Sequence, residues 1–182
     1  MELTDIRCAA QAPRYKRGNV DMTNIGALQV TTPTDREVVV TRHFAAPCDL
    51  VFRAYTTPDL LRQWFHGPPG WTMELCEVDL RVGGRYRYEW SGPDGEVMAV
   101  GGEFREVDPP SRLVTTELFD EDWTGGETVV TADFIDQAGQ TRLEMTILYA
   151  SREARDGALA SGMTEGMEMG YALLDELLPS LA

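Results

Sequence analysis

Residues 83–90, with the sequence GGRYRYEW, alternate bulky aromatic side chains with charged ones directly after a pair of glycines. Successive side chains of a β-strand point to opposite faces of the sheet, so Tyr86, Tyr88 and Trp90 share one face. This stretch therefore predicts a strand that presents three large rings on one side. The rings either pack into a solid core or line an apolar ligand cavity, and the sequence leaves both interpretations open.

Similar stretches before and after this strand predict a long antiparallel sheet. The strand patterns cover residues 28–30, 37–44, 71–80, 85–90, 96–107, 112–119, 129–135 and 141–149. Short turns separate most of them, which favours an antiparallel meander with one buried face.

Helix signals lie at the two ends of this sheet. Pro47 opens one short helix, and residues 57–59 (Thr-Pro-Asp) combine a capping hydroxyl, a proline at the first helical position and an acid in the first turn. A capped helix over 152–159 and a long amphipathic helix over 163–178 follow the last strand. The expected fold class is α+β, a curved antiparallel sheet wrapped around a long C-terminal helix, with two short helices after the first strand. A sheet of this kind rarely closes completely on its helix, so a cleft is expected between them.

Length and charge limit the function. The chain has 182 residues, enough for one domain with a sizeable core, and 16 Lys+Arg against 30 Asp+Glu give a net charge of -14. This balance excludes nucleic acid and anionic membrane surfaces as expected partners, because both would be repelled. The sequence leaves open whether the chain forms a homodimer.

Residues 1–21 differ from the remainder because they show no periodicity. They are expected to be a disordered tail or translation from a start upstream of the natural one, with a basic anchoring arm as the alternative. Residues 22–182 are then the single folded domain. Cys8, Cys48 and Cys76 are far apart and odd in number, and no signal peptide is visible, so a cytoplasmic location is expected.

Several motifs resemble, in order and in spacing, those of the bacterial homologues of the activator of the ninety-kilodalton heat-shock chaperone ATPase. They are residues 42–47 (RHFAAP), 51–55 (VFRAY), 58–64 (PDLLRQW), 76–84 (CEVDLRVGG), 102–107 (GEFREV) and 110–114 (PSRLV). The resemblance covers about Leu28 to Leu181. It implies the helix-grip fold of the START-like, birch-pollen-allergen-like (SRPBCC) superfamily. That superfamily includes lipid carriers, aromatase/cyclases and oxygenase subunits, so the resemblance implies a cavity and leaves its use open.

One departure from this family concerns the last helix. Residues 162–167 read GMTEGM where the family tends to carry GWxxGW. If Met163 and Met167 face the sheet, the cleft is expected to be wider and more adaptable, because methionine is smaller than tryptophan and repacks easily. The alternative is that neighbouring rings refill the space.

Few residues suggest catalysis or metal binding. The two histidines, His43 and His66, show no metal-ligand spacing, and no nucleophile or cofactor motif is present, so neither a metal nor a cofactor is predicted. His66 follows two rings and precedes a Gly-Pro loop, where it is either a general acid or base at a cavity mouth or an exposed loop residue. Arg42 shares a face with apolar residues and needs a carboxylate partner, from the protein or from a ligand.

The sequence thus predicts that a small hydrophobic or aromatic molecule binds between the sheet and the last helix. The expected wall is Trp64, Trp71, Tyr86, Tyr88, Trp90, Phe104, Met145, Met163 and Met167, with Arg42 and His66 as polar contacts. One alternative is a cyclase or hydrolase that uses Tyr86, Tyr88 or His66 in acid–base catalysis. The other is a chaperone-activator-like interaction module. Eukaryotic activators have an additional N-terminal domain with much of the chaperone contact, and 182 residues are not expected to leave room for one.

Overall fold

The computed structural model describes residues 26–67, 70–122 and 124–182. The predictions for residues 1–21, and for Cys8 within them, lie outside the described residues. The strands are β1 (Gln29–Thr31), β2 (Glu37–Phe44), β3 (Thr72–Val78), β4 (Arg85–Ser91), β5 (Val97–Asp108), β6 (Arg112–Phe119), β7 (Thr128–Asp136) and β8 (Thr141–Leu148). The helices are α1 (Cys48–Thr56), α2 (Pro58–Trp64), α3 (Arg152–Ala160) and α4 (Met163–Leu177), and a 3-10 turn (Leu178–Leu181) follows α4.

The eight strands form one antiparallel sheet in the order β1-β2-β8-β7-β6-β5-β4-β3. Consecutive strands from β3 to β8 are neighbours, as a meander requires, and β2 closes against β8 at the other side. Among the described residues the short strand β1 comes first and is followed by β2, the first long strand. The helices α1 and α2 come directly after β2. The predicted α+β helix-grip fold is therefore confirmed.

The buried face of the sheet follows the alternation in the sequence. In β2 every second residue from Val38 to Phe44 is buried, and in β8 the buried residues include Leu143 and Ile147. These side chains pack beneath α1 and the C-terminal half of α4. Among the described residues, no helix is long and apolar enough to cross a membrane.

The two predicted helix caps differ in how they form. Ser151 caps α3 as predicted, since its hydroxyl accepts a hydrogen bond from the Ala154 amide at 3.1 Å. Thr57 occupies the N-cap position of α2, with Pro58 at the first helical position, but its side chain makes no capping hydrogen bond. The expectation of a capping hydroxyl at Thr57 was therefore wrong, and α2 begins through the backbone geometry that proline fixes.

The two halves of α4 have different environments. In the C-terminal half Leu174 is fully buried, and the ring of Tyr171 packs edge-on against Phe44 with 5.6 Å between centroids. In the N-terminal half Met163 and Met167 are only partly buried, and both face an internal space. The helix is thus held firmly at one end and leaves a gap above the sheet at the other.

Arg42 attaches α4 to β2. Its side chain is 2% exposed, and its guanidinium donates to Glu168 at 2.8 Å and to Asp175 at 2.6 Å. The same guanidinium lies 5.6 Å from the centre of the Tyr171 ring, within the range of a cation–π contact. Of the two sources that the sequence left open, the carboxylate partners of this buried arginine therefore come from the protein.

Candidate functional site

A cavity of about 500 Å³ lies between the inner face of strands β4 to β8 and the N-terminal half of α4. Its volume is within the range typical of small-molecule sites. The end of α2 forms a third side, through Leu61, Trp64 and Phe65. Most of the lining is aromatic or aliphatic, so the cavity offers a partly enclosed apolar environment between packed elements.

The ring wall that the sequence predicted forms one side of this cavity. Tyr86 and Tyr88 lie 5.0 Å apart, and Tyr88 and Trp90 lie 6.0 Å apart, measured between ring centroids. Phe104 of β5 extends the wall at 5.6 Å from Tyr86, and Phe65 packs edge-on against Trp90 at 5.1 Å. These contacts fix the rings against one another, so the wall is largely preformed.

Most polar atoms of these rings already have partners. The Trp90 indole donates to the Phe65 carbonyl at 2.9 Å, and the Tyr86 hydroxyl donates to the Thr116 carbonyl at 2.8 Å. The Tyr88 hydroxyl, in contrast, makes no hydrogen bond to any described residue. Of the two tyrosine hydroxyls in the wall, only that of Tyr88 is left available to a ligand.

The helix side of the cavity is lined by small and flexible residues. A Cβ added at Gly166 would meet no atom within 4 Å, whereas one at Gly170 would lie 3.5 Å from the Trp64 carbonyl oxygen. Gly166 therefore faces open space, and Gly170 allows α4 to approach α2. Met163 and Met167 flank this opening, and the Tyr149 hydroxyl donates to the Met163 sulfur at 3.3 Å. The space is not refilled by neighbouring rings.

A glycine in β5 leaves space for the Tyr86 ring. Gly102 pairs with Tyr86, and a Cβ at this position would overlap the Thr116 carbonyl oxygen and lie 2.9 Å from the Tyr86 ring. Next to it, Gly101 pairs with Leu118, so Gly102 lies across from Glu117 of β6. The glycine leaves room for the Tyr86 ring and for the Thr116 carbonyl that accepts its hydrogen bond.

Glu117 is the one carboxylate in the cavity wall among the described residues. Its backbone carbonyl accepts a hydrogen bond from Thr128, but its carboxylate makes no hydrogen bond or ion pair with a described residue. Glu117 as a whole is half-buried, since it lines the cavity. Its carboxyl group is nevertheless surrounded by protein atoms. This burial raises the pKa of Glu117 to about 7, because a desolvated carboxylate is costly to ionise.

The tyrosines around the cavity remain protonated at neutral pH. Burial is the main cause that raises the pKa of Tyr86, Tyr88 and Tyr149, and the nearby charge of Glu117 adds to each shift. Burial also raises the pKa of Tyr171 to about 12. The wall therefore contains one titratable carboxylate surrounded by neutral phenols, an arrangement that can hold or move a proton.

The structure brings together all but one of the predicted wall residues. Those that line the cavity are Trp64, Tyr86, Tyr88, Trp90, Phe104, Met145, Met163 and Met167. Trp71 does not line the cavity, because it precedes β3 and lies next to the β4–β5 turn. Its ring packs against Gly92, where an added Cβ would be 3.0 Å away. Arg42 also lies outside the cavity, beneath the C-terminal half of α4. That these residues bind a ligand remains a prediction.

His66 lies at the rim of the cavity. The sequence had left open whether it lies at a cavity mouth or in an exposed loop. It is half-buried, and its Nε2–H donates to the Arg62 carbonyl at 2.8 Å. In the described part of the chain no group of three His, Cys, Asp or Glu side chains comes together as a metal site would require.

Sequence reasoning missed several polar groups of the cavity, and Glu117 and Tyr171 are the two for which the sequence carried a signal. In β6 the residues Leu113, Thr115, Glu117 and Phe119 alternate with outward ones, and all four line the cavity. The spacing of two residues from Leu113 was the signal that could have placed Glu117 inside. Tyr171 follows Met167 by four positions, so the helical spacing could have revealed it as well.

Comparison with known proteins gives one family and a set of similar folds. A family model described as activator of Hsp90 ATPase homolog 1-like protein matches residues 45–179. A crystal structure of a protein from Rhodobacter sphaeroides is 36% identical, with a TM-score of 0.80, over 85% of this chain and 99% of that one. A crystal structure of a protein from Mycobacterium smegmatis is 31% identical, with a TM-score of 0.73, over 84% of this chain and 97% of that one. No curated protein matches the chain.

Proposed function

We propose, since this chain belongs to the family of activator of Hsp90 ATPase homolog 1-like proteins, that it binds one small hydrophobic or aromatic molecule in its cavity. The observation that carries the proposal is the open apolar space of about 500 Å³ inside an otherwise packed domain. Protein interiors are normally close-packed, and large apolar voids destabilise a fold. A void of this size with a preformed aromatic wall therefore favours a ligand site over imperfect packing.

The expected affinity follows from the apolar area that a ligand would bury. A two-ring aromatic group comparable to a tryptophan side chain removes about 200 Å² from water. At about 25 cal/mol per Å² this contributes roughly 5 kcal/mol before the cost of association. Ligands that fill more of the cavity should bind more tightly, and the contacts among the rings reduce the cost of ordering them.

The test uses a variant that fills the cavity without weakening the helix. Gly166 lines the cavity and a Cβ added there would meet no atom within 4 Å, so Gly166→Leu should place its side chain in the ligand space. Replacing a helical glycine should also stabilise α4 by about 0.8 kcal/mol. Tryptophol, a neutral indole alcohol, is the probe, and isothermal titration calorimetry measures its binding. We expect one molecule to bind per chain, and at least about tenfold weaker binding to Gly166→Leu.

A matched control separates cavity filling from helix stabilisation. Gly157 of α3 is also a helical glycine with no neighbour within 4 Å, but it is exposed and does not line the cavity. Gly157→Leu should bind tryptophol as the unchanged protein does. Equal binding to the unchanged protein and to Gly166→Leu would reject the cavity as the site. If the unchanged protein binds neither tryptophol nor its charged analogues tryptamine and indoleacetate, the proposal is rejected.

A second candidate function is an enzyme that moves a proton within the same cavity. Glu117 favours it, because a carboxyl with a pKa of about 7 is poised to act as a general acid or base at neutral pH. The unpaired Tyr88 hydroxyl would be the second polar group that contacts a substrate. The enzyme candidate requires that a bound aromatic ketone or ester be converted, and that Glu117→Gln retain binding while it abolishes turnover. Bound compounds recovered unchanged after long incubation would argue against it.

The family description also names chaperone activation, and that function remains the third alternative. Co-purification with an Hsp90 chaperone that persists in Gly166→Leu would favour an interaction surface independent of the cavity. The free, buried thiols of Cys48 and Cys76 suit the reducing cytoplasm in which we place the protein.

A further inference from the structure

Glu117 gives the cavity a chemical preference that its apolar rings alone would not have. It is placed inside by the alternation of β6, between Thr115 and Phe119, which line the same cavity. Nothing among the described residues neutralises it, since its carboxylate has neither a cationic partner nor a hydrogen-bond donor there. A carboxylate in such an environment normally has a partner, because desolvation without one is costly.

The described lining contains no arginine or lysine. The other titratable groups that face the cavity are His66 at the rim and the five tyrosines Tyr55, Tyr86, Tyr88, Tyr149 and Tyr171. Burial raises the pKa of all five phenols, so they carry no charge near neutral pH. The electrostatic character of the interior is therefore set by one carboxylate.

The hydroxyl groups near Glu117 are mostly committed to other acceptors. The Tyr86 hydroxyl donates to the Thr116 carbonyl, and the Tyr149 hydroxyl donates to the Met163 sulfur. Of the three tyrosines whose pKa the charge of Glu117 raises, only Tyr88 has a hydroxyl that makes no hydrogen bond to a described residue. The missing partner of Glu117 must then come largely from what enters the cavity.

An organic ammonium group meets these conditions best. It would donate hydrogen bonds to the Glu117 carboxylate and pair with its charge. The faces of Tyr86, Tyr88 and Trp90 attract cations as well as apolar groups, so the ring wall supports the same ligand. The net charge of -14 further favours the approach of a cation and disfavours that of an anion.

We propose that the ligands of this cavity are apolar or aromatic amines, whose ammonium group is bound by the carboxylate of Glu117 while the ring or chain packs on the aromatic wall. This inference rests on the proposed function, because it requires that the cavity take up a small molecule. It adds the chemical class of that molecule and the residue that selects it.

The test compares three indole probes that differ mainly in charge. Tryptamine is cationic, tryptophol is its neutral counterpart with a hydroxyl in place of the ammonium, and indoleacetate is an anion. Calorimetric titration at about pH 7.5 should give tryptamine an affinity about tenfold or more above that of tryptophol, with indoleacetate the weakest. In Glu117→Gln the preference for tryptamine should disappear, while tryptophol should bind as before.

The control and the contradicting outcomes follow from the same titrations. Glu121 is exposed and does not line the cavity, so Glu121→Gln removes one negative charge elsewhere and should keep the tryptamine preference. Tryptophol that binds as well as tryptamine, or a preference that survives in Glu117→Gln, would overturn the amine assignment and leave the proposed function standing. Failure of all three probes to bind would overturn both.

The pH dependence gives a second readout. An ammonium stabilises the ionised form of Glu117, so tryptamine binding should release a proton and strengthen as pH rises from about 5.5 to about 7.5. Tryptophol binding should show no such rise. The trend should persist in His66→Asn and vanish in Glu117→Gln; a trend lost with His66 instead would assign the selection to the rim and overturn the proposal.

Discussion

Glu117 shows how one side chain can set both the stability of the empty protein and the selectivity of the cavity. Its position in β6 is dictated by strand alternation, and its neighbours are apolar side chains and neutral phenols. The free energy that the fold spends on holding this carboxylate without a partner is available to a ligand that supplies one. Residues that are costly to keep in the empty protein are often those that function requires.

We expect Glu117→Gln to stabilise the empty protein at neutral and higher pH. The folded-state pKa of about 7 lies above the ordinary value of 4.5, so the folded protein holds this proton more tightly than the unfolded chain. Stability from this group is therefore present below about pH 4.5 and is lost as pH rises through about 7. The variant should gain about 2 to 3 kcal/mol of unfolding free energy above pH 7 and much less near pH 5.

Urea denaturation of Glu117→Gln and of the unchanged protein at several pH values measures this gain. Glu121→Gln serves as the surface control and should show a small, pH-independent change. A stability difference between Glu117→Gln and the unchanged protein that is the same at pH 5 and pH 8 would mean that Glu117 is not desolvated.

Gly102 is a second position where a single atom matters. A Cβ there would overlap the Thr116 carbonyl oxygen, which also accepts the Tyr86 hydrogen bond. We expect Gly102→Ala to lower the unfolding free energy by more than about 2 kcal/mol. Gly101→Ala, whose Cβ would lie 3.1 Å from the Tyr86 carbonyl oxygen, should cost less. Thermal unfolding of both variants gives the comparison, and equal losses would contradict this account of the β4–β5–β6 contact.

Single residues were predictable where a regular period governed them. The alternation of β4 placed Tyr86, Tyr88 and Trp90 in the wall, and helical spacing placed Met163 and Met167 opposite. Periodicity does not reveal which polar groups satisfy one another, because this depends on neighbours distant in sequence. For that reason the hydrogen bond that occupies the Tyr86 hydroxyl and the unpaired state of Glu117 emerged only from the structure.

At the level of elements, α4 combines a fixed end with an open one. Arg42 of β2 holds the helix through Glu168 and Asp175, and Tyr171 packs against Phe44. Beyond Gly170 towards the N-terminus the helix no longer rests on the sheet, and the cavity begins. The anchor thus keeps the helix in place although the packing beneath its first two turns is incomplete.

We expect Asp175→Asn to lower the unfolding free energy by about 2 kcal/mol, because it leaves the buried Arg42 guanidinium with one carboxylate partner less. Glu176 is the matched control on the same helix, since it is exposed and has no ion-pair partner among the described residues. Glu176→Gln should change stability by less than about 0.5 kcal/mol. Denaturant titrations compare the two, and equal effects would mean that the Arg42 contacts do not anchor α4.

Element boundaries could be predicted closely where hydrophobic alternation and turn residues agreed. The strands β2 and β6 have the predicted bounds, 37–44 and 112–119. The strand predicted over 71–80 is shorter, Thr72–Val78, because Trp71 packs on Gly92 and the chain turns before Gly83. Thr57 is a residue type that often caps helices, but its side chain makes no capping hydrogen bond in α2. Residue type alone does not fix the side-chain rotamer.

At the scale of the whole molecule, the fold keeps an apolar space open between two well-packed regions. The helices α1 and α2 fill one end of the sheet, and the C-terminal half of α4 completes that core. The cavity occupies the other end, where Met163 and Met167 stand in place of the tryptophans that the family resemblance implies. The order of elements predicted this architecture, whereas the size and polarity of the cavity depend on side-chain positions that no single pattern in the sequence specifies.

A crystal structure of the protein, purified without detergent and pressurised with xenon, would test the central claim most directly. Apolar cavities that stay dry take up xenon, whereas packed cores do not. We predict xenon, or an organic molecule retained from the cell, between Tyr88, Met167 and Glu117. Side chains that fill this space in the absence of any bound atom or molecule would contradict the claim that the domain contains a ligand cavity.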